Sequence, residues 1–277
     1  MRSIQSIGIV GAGRMGGTLA LACAQAGISA TVHSHRPQEV VRHQLRARLE
    51  NRAEAKESTI DGLLRSICVT SSFTAFGNVD LAIECVPEDM SIKAVTLAAL
   101  NQHCSESAVL ASNTSSLSIG KLAMLSGRPD RFVGLHFFNP ADVMSLVEIA
   151  VLPETSPDIA EAVSCFVRAL GKEPIVVPDS PGFVVNRLLF AMICEAMRVF
   201  AAGVATAEQI DRAMKLGTNT TTGPLALADA IGLDTCQAIL RNLALGLGDR
   251  YSPPEFLAAM VASGKIGRKA GVGFYTY

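Results

Sequence analysis

A short apolar run, Ile7–Val10, leads directly into Gly11-Ala12-Gly13-Arg14-Met15-Gly16 and then into an alanine-rich helical pattern from Met15 to Ala26. Three glycines at this spacing between a strand and a helix leave few choices of fold. The first permits a tight turn, the second lets the backbone approach a pyrophosphate, and the third lets the helix pack closely on the strand. The helix N-terminus then turns unpaired N–H groups toward the phosphates. An isolated G-x-G-x-x-G is a weak signal and gains meaning from a strand before it and a helix after it, as here. Gly11, Gly13, Arg14, Met15 and Gly16 are therefore the expected cofactor loop of a dinucleotide-binding domain.

The following residues continue the alternation. Ala30–His33, Ile67–Thr70, Leu81–Val86 and Ala108–Ala111 read as short strands, with a charged helical region from Pro37 to Ser66 and further helical segments between most of them. Strands alternating with helices predict βαβ units and a parallel sheet. Phe132–His136 and Leu146–Val151 are joined only by a loop and are expected to pair antiparallel. From Pro181 the strand signals stop, and Gly182–Ala202, Ala207–Leu216, Pro224–Leu245 and Pro254–Ser263 read as helices. The expected architecture is a Rossmann-type, doubly wound, mostly parallel sheet over residues 1–180, followed by a smaller all-helical domain over 181–277.

Composition narrows the function. Hydrophobic residues make up 49% against 18% charged, ample for packed cores, and a net charge of −1 gives no electrostatic case for nucleic acid. The longest apolar-rich stretch, Phe183–Val204, is broken by Asn186, Arg187, Glu195 and Arg198 and is not expected to span a membrane. Seven scattered cysteines without a CxxC suit reduced thiols, not a zinc site or disulfides. With no signal-peptide pattern at the start, a cytoplasmic location is expected, and no metal site is foreseen.

The end of the second strand bears on which dinucleotide binds. A site for NAD usually places Asp or Glu there to hold the ribose 2′-hydroxyl. This chain has His33-Ser34-His35-Arg36, with no carboxylate before Glu39. Ser34 as a hydrogen-bond donor and Arg36 as a cation suit a 2′-phosphate, so NADP is favoured over NAD. The plainer alternative makes Arg36 a solvated helix-start residue.

His136 closes one apolar strand, and Glu148 lies inside another, Leu146-Val147-Glu148-Ile149. A carboxylate buried there is costly unless paired. A hairpin centred near Asp142 makes residues 136 and 148 cross-strand partners, close enough to touch. A carboxylate on one imidazole nitrogen fixes the tautomer and leaves the other nitrogen to exchange protons with an alcohol or ketone. The alternative is an ordinary structural His–Glu pair.

Longer segments now carry a resemblance. Ala111-Ser112-Asn113-Thr114-Ser115-Ser116, Gly134-Leu135-His136-Phe137-Phe138-Asn139-Pro140, Leu146-Val147-Glu148-Ile149, Pro181-Gly182-Phe183-Val184-Val185-Asn186-Arg187, Ala213-Met214-Lys215-Leu216-Gly217 and Gly267-Arg268-Lys269-Ala270-Gly271 resemble the 3-hydroxyacyl-CoA dehydrogenase family. The resemblance covers nearly the whole chain. It implies an oxidoreductase acting on 3-hydroxyacyl or 3-oxoacyl thioesters, with His136 as acid–base and Glu148 as its partner. It places Ser115 and Asn186 on the reacting oxygen and thioester, and Glu88, Lys93, Asn113, Ser115, Asn139 and Lys269 near the cofactor. It also implies homodimerisation through the helical domain.

Three departures accompany that resemblance. Ser34 stands where the family has an acid, the segment between Pro37 and Val79 is shorter than the family's CoA-gripping hairpin, and Thr220-Thr221-Thr222 replaces His-Pro-Met. A substrate carried on an acyl-carrier protein is therefore an alternative to CoA, and Arg48 and Arg52, spaced along one helix face, are the expected carrier contacts. A non-catalytic nucleotide-binding relative is the remoter alternative.

Overall fold

The computed structural model describes residues 3–51 and 56–277. The chain divides into two compact units, one ending at Ser180 and the other beginning at Pro181.

The first unit runs β1 (Ser6–Val10), α1 (Arg14–Gln25), β2 (Ser29–His33), α2 (Gln38–Glu50), α3 (Glu57–Arg65), β3 (Ile67–Thr70), β4 (Leu81–Glu84), α4 (Met90–His103), β5 (Val109–Ser112), α5 (Ile119–Ser126), β6 (Phe132–Phe137), β7 (Leu146–Val151), α6 (Pro157–Ala169) and β8 (Glu173–Pro178). The strands form one sheet in the order β3-β2-β1-β4-β5-β6-β7-β8. Strands β1 to β6 pair in parallel, β7 runs antiparallel to β6, and β8 follows β7 in parallel. The order reverses between β1 and β4, which puts the crevice of a doubly wound sheet at their carboxyl ends.

The strands read as apolar runs because helices cover both faces. Leu81, Ile83, Val109, Ala111, Val133 and Leu135 share a core with α1, α2, α3 and α6. Successive residues of a strand point to opposite faces, so the equally buried Ala82, Leu110 and Phe132 face the side of α4 and α5. Helix α1 is rich in alanine and glycine because it lies close against the sheet, with every residue from Gly16 to Ala24 buried. A Cβ on Gly16 would fall 1.8 Å from the carbonyl oxygen of Gly11, so only glycine fits there.

Three expectations are corrected by the observed elements. The charged region from Pro37 to Ser66 is two helices, α2 and α3, not one continuous stretch. Helix α6 and strand β8 fill the interval before the second unit, where the apolar patterning named no strand. Strand β8 escapes that pattern because it holds Pro174 and Pro178 and forms an outer edge with Ile175 and Val176 exposed. The third correction concerns the second unit, which comprises α7 (Val185–Ala201), α8 (Ala207–Thr218), α9 (Pro224–Ile231), α10 (Leu233–Leu247) and α11 (Glu255–Ala262). The segment read as one helix from Pro224 to Leu245 is broken into α9 and α10 at Gly232, whose φ of +103 no helix accommodates. Phe190, Ile193, Met197, Leu225, Leu233, Cys236 and Leu240 form its core. Among the described residues, no helix is long and apolar enough to cross a membrane.

Candidate active site

The glycine loop has the shape a dinucleotide requires. Gly11 adopts φ +104, and a Cβ there would lie 2.8 Å from the Cys85 carbonyl oxygen, so the turn is wedged against the end of β4. A Cβ on Gly13 would meet no protein atom within 4 Å, leaving open space over the loop. Gly13 is also the N-cap of α1 and offers no side-chain acceptor to the first-turn N–H groups. An open approach and uncapped donors at a helix N-terminus suit a pyrophosphate.

Beside the loop, Ser34 is buried at the end of β2, and its hydroxyl oxygen accepts a 3.0 Å bond from the Arg36 backbone N–H. The Arg36 guanidinium donates to the Ala12 carbonyl and, at 2.8 Å, to Gln44 Oε1. Arg14, Arg36 and Arg48 line one cleft of about 280 Å³ together with Gly13 and Gln44, and no carboxylate lines it. Arg48 Nε also lies 3.6 Å from the buried Asp142. Arg52 lies outside the described residues.

At the carboxyl ends of β4 and β5 the polar groups interlock. Lys93, 1% exposed, donates to both oxygens of the fully buried Glu84 at 2.7 and 2.8 Å and lies 3.3 Å from Glu88 Oε2. Glu84 also accepts from the Ser112 hydroxyl and from Val86 N–H. Glu88 Oε1 accepts from Thr114 Oγ1 at 2.6 Å, from the Ser115 and Ser116 N–H groups at 3.0 Å each, and from Ser116 Oγ at 2.9 Å. Burial pushes the Glu84 carboxyl above its ordinary value, against the pull of Lys93. Burial acts the same way on Glu88, but Lys93 and the hydroxyls of Thr114 and Ser116 outweigh it and hold that carboxyl below the usual range. Lys93 is thus a buried counter-ion behind the loop. In the sequence, the mark of Glu84 is an acid ending the apolar run Leu81-Ala82-Ile83.

The next strand carries the histidine. His136 pairs with Glu148 in the antiparallel register, and its Nδ1 lies 2.8 Å from Glu148 Oε2, both side chains being buried. Facing a carboxylate, Nδ1 carries the ring proton as donor. Asn113 Oδ1 accepts from Phe137 N–H at 3.0 Å, tying the loop after β5 to the end of β6. Asn139 is exposed in the turn that follows, and the Ala141 N–H of that turn donates to Thr18 Oγ1 in α1 at 3.2 Å. The glycine loop, Ser115, Asn113 and His136 therefore lie together at the carboxyl ends of β1, β5 and β6. Asn186 and Lys269 belong to the second unit, where Asn186 lies in the first turn of α7 and Lys269 is ion-paired with Asp234 at 2.6 Å.

A doubly wound sheet with an uncapped glycine loop and a buried His–Glu pair defines a class of dinucleotide-dependent oxidoreductases. The profile of the 3-hydroxyacyl-CoA dehydrogenase NAD binding domain matches residues 6–180, and that of the family's C-terminal domain matches residues 182–277. The chain is 42% identical over 277 residues to a probable 3-hydroxybutyryl-CoA dehydrogenase of Deinococcus radiodurans, covering 98% of this chain and 99% of that one. It is 34% identical to the human mitochondrial hydroxyacyl-coenzyme A dehydrogenase, covering 99% and 91%. The crystal structure of (S)-3-hydroxybutyryl-CoA dehydrogenase from Ralstonia eutropha superposes with a TM-score of 0.95 at 42% identity, covering 99% of both chains. The chain belongs to the 3-hydroxyacyl-CoA dehydrogenase family.

Proposed function

We propose that this chain interconverts a 3-hydroxyacyl and a 3-oxoacyl thioester of CoA, with His136 as acid–base and NADP(H) as the preferred dinucleotide. The observation that carries the chemistry is the 2.8 Å contact from His136 Nδ1 to the buried Glu148. With Nδ1 committed to that carboxylate, Nε2 is the nitrogen that takes the proton from a substrate hydroxyl, or returns it to a ketone oxygen. Glu148 holds the ring orientation and stabilises the imidazolium that forms. When bound, the nicotinamide supplies or accepts the hydride. Within the first unit, Ser115 hydrogen-bonds the reacting oxygen, while Glu88, Asn113 and Asn139 order the cofactor side of the site. Lys93 serves through its contacts to Glu84 and Glu88.

The preference for NADP(H) is supported by the cleft that Arg14 and Arg36 line, in which no carboxylate takes part, and by the Ser34 hydroxyl at the end of β2. Guanidinium groups bind phosphate well, and an acid at this place would repel it. The arginines of α2 give the acyl-carrier alternative little support. Arg46 is bonded to Glu57 and Asp61, and Arg48 faces Asp142. The exposed Leu188, Leu216 and Leu245 of the helical unit are consistent with homodimerisation through it.

The test is reduction of acetoacetyl-CoA with NADPH and with NADH. NADPH should give the lower Michaelis constant, and Ser34→Asp with Arg36→Leu should reverse the preference by roughly one to two decades. An unmodified protein that uses NADH as well or better would refute the cofactor assignment. Absence of turnover with either would refute the substrate.

A further inference from the structure

We propose that Glu84 is a positioning residue for Ser115, acting through Lys93 and Glu88. The inference rests on the reading above that Ser115 touches the reacting oxygen. Glu84 is the last residue of β4 and is wholly buried. A buried ion pair is seldom worth more to stability than apolar side chains of the same size, so its presence calls for another reason. The reason lies in what the pair holds. Both Glu84 oxygens accept from Lys93 Nζ, at 2.7 and 2.8 Å, and one of them also takes the Ser112 hydroxyl, at the root of the loop after β5. Lys93 in turn lies 3.3 Å from Glu88 Oε2. The other oxygen of Glu88 gathers Thr114 Oγ1 and the Ser115 and Ser116 N–H groups.

Glu84 therefore fixes the loop twice, directly at Ser112 and indirectly at its middle. It also divides the single positive charge of Lys93 between two carboxylates. Without the Glu84 charge, Lys93 belongs to Glu88 alone and draws that carboxylate toward itself, away from the N–H groups that hold Ser115. Small displacements of a positioning group can cost on the order of 10²-fold in rate.

The test is a kinetic cycle with Glu84→Gln, Ser115→Ala and the double variant, using acetoacetyl-CoA and the better cofactor. Glu84→Gln should lower kcat by roughly 10- to 100-fold with little change in cofactor dissociation constant, read by nicotinamide fluorescence. In the double variant kcat should match that of Ser115→Ala within about twofold, because the two changes act through one group. Losses that multiply, full turnover in a folded Glu84→Gln protein, or full turnover in Ser115→Ala would each overturn the assignment. If Glu84→Gln does not fold, Glu84→Asp keeps the charge, shortens the arm and enters the same cycle.

Hydrogen exchange supplies a readout independent of turnover. The Ser115 and Ser116 amides should exchange faster by about tenfold or more in the variant, while β1 amides keep their protection. Unchanged exchange there would overturn the proposal whatever the substrate. A protein inactive on acetoacetyl-CoA that still shows the exchange effect would instead place the failure in the substrate assignment.

Discussion

Two ion-pair clusters in the sheet-containing unit share a plan and differ in their surroundings. Lys93 serves two carboxylates, Glu84 and Glu88, with the lysine and Glu84 side chains 1% and 0% exposed. Arg46 on α2 serves Glu50, Glu57 and Asp61, with exposures of 32% for the arginine and 50%, 70% and 41% for its partners. Water solvates each member of the Arg46 cluster, so removing one leaves the rest little worse off. No solvent reaches Glu84, and deleting its partner strands a charge in a medium that cannot screen it. The buried cluster abuts the loop that carries Ser115, whereas the exposed one joins two peripheral helices.

The largest expected effect is in the buried region. We predict that His136→Ala lowers kcat by about 10² to 10⁴-fold, while cofactor binding measured by fluorescence titration persists. Near-normal turnover would remove His136 from the chemistry. Lys93→Met should destabilise the protein by roughly 3–5 kcal/mol in denaturant unfolding, since Glu84 is left buried without its counter-ion. Adding Glu84→Gln should recover much of that loss, and a double variant no more stable than Lys93→Met would show that charge is not the cause.

A smaller effect is expected at the end of β2. Burial, with His35 beside it, pushes the His33 imidazole below its ordinary value, while Nε2–H donates to the Ser71 carbonyl. The unfolded chain therefore takes up this proton first. His33 contributes stability that is complete above about pH 6.5 and is lost as the pH falls from there through the lower folded value. The thermal midpoint should drop over that window, and His33→Asn should flatten the drop. An identical slope in the variant would exclude His33 as its source. The smallest effect belongs to the exposed cluster, where Arg46→Ala should move Tm by no more than about 2 °C. A shift as large as that of Lys93→Met would erase the contrast between the two regions.

The sequence disclosed some of this arrangement and withheld the rest for identifiable reasons. The glycine loop is local, so its spacing alone describes it. The pairing of His136 with Glu148 is nearly local too, because a hairpin has one symmetric register and both residues lie equally far from its centre at Asp142. The Glu84–Lys93–Glu88 network was not legible, because it depends on the β4–β5 adjacency and on which way α4 turns Lys93. Arg48 and Lys56 share a helical spacing in the sequence, yet Lys56 is the N-cap of a separate helix and Arg48 faces Asp142. Helical periodicity says where a side chain points on its own helix and nothing about where the helix ends.

Strand β8 bears on how the protein keeps to itself. Glu173 N–H donates to Ser145 O and Asp179 N–H to Val151 O, so the odd-numbered residues of this strand turn their donors inward to β7. The even-numbered ones, Pro174, Val176 and Pro178, face the open side. Two of those three have no N–H to give, and only Val176 offers a donor to an incoming strand. An edge with exposed Ile175 and Val176 would otherwise be a template for pairing with another chain. The prolines withhold the ladder of donors that such a pairing needs, so the sheet ends at its eighth strand and the edge stays unattractive to aggregation.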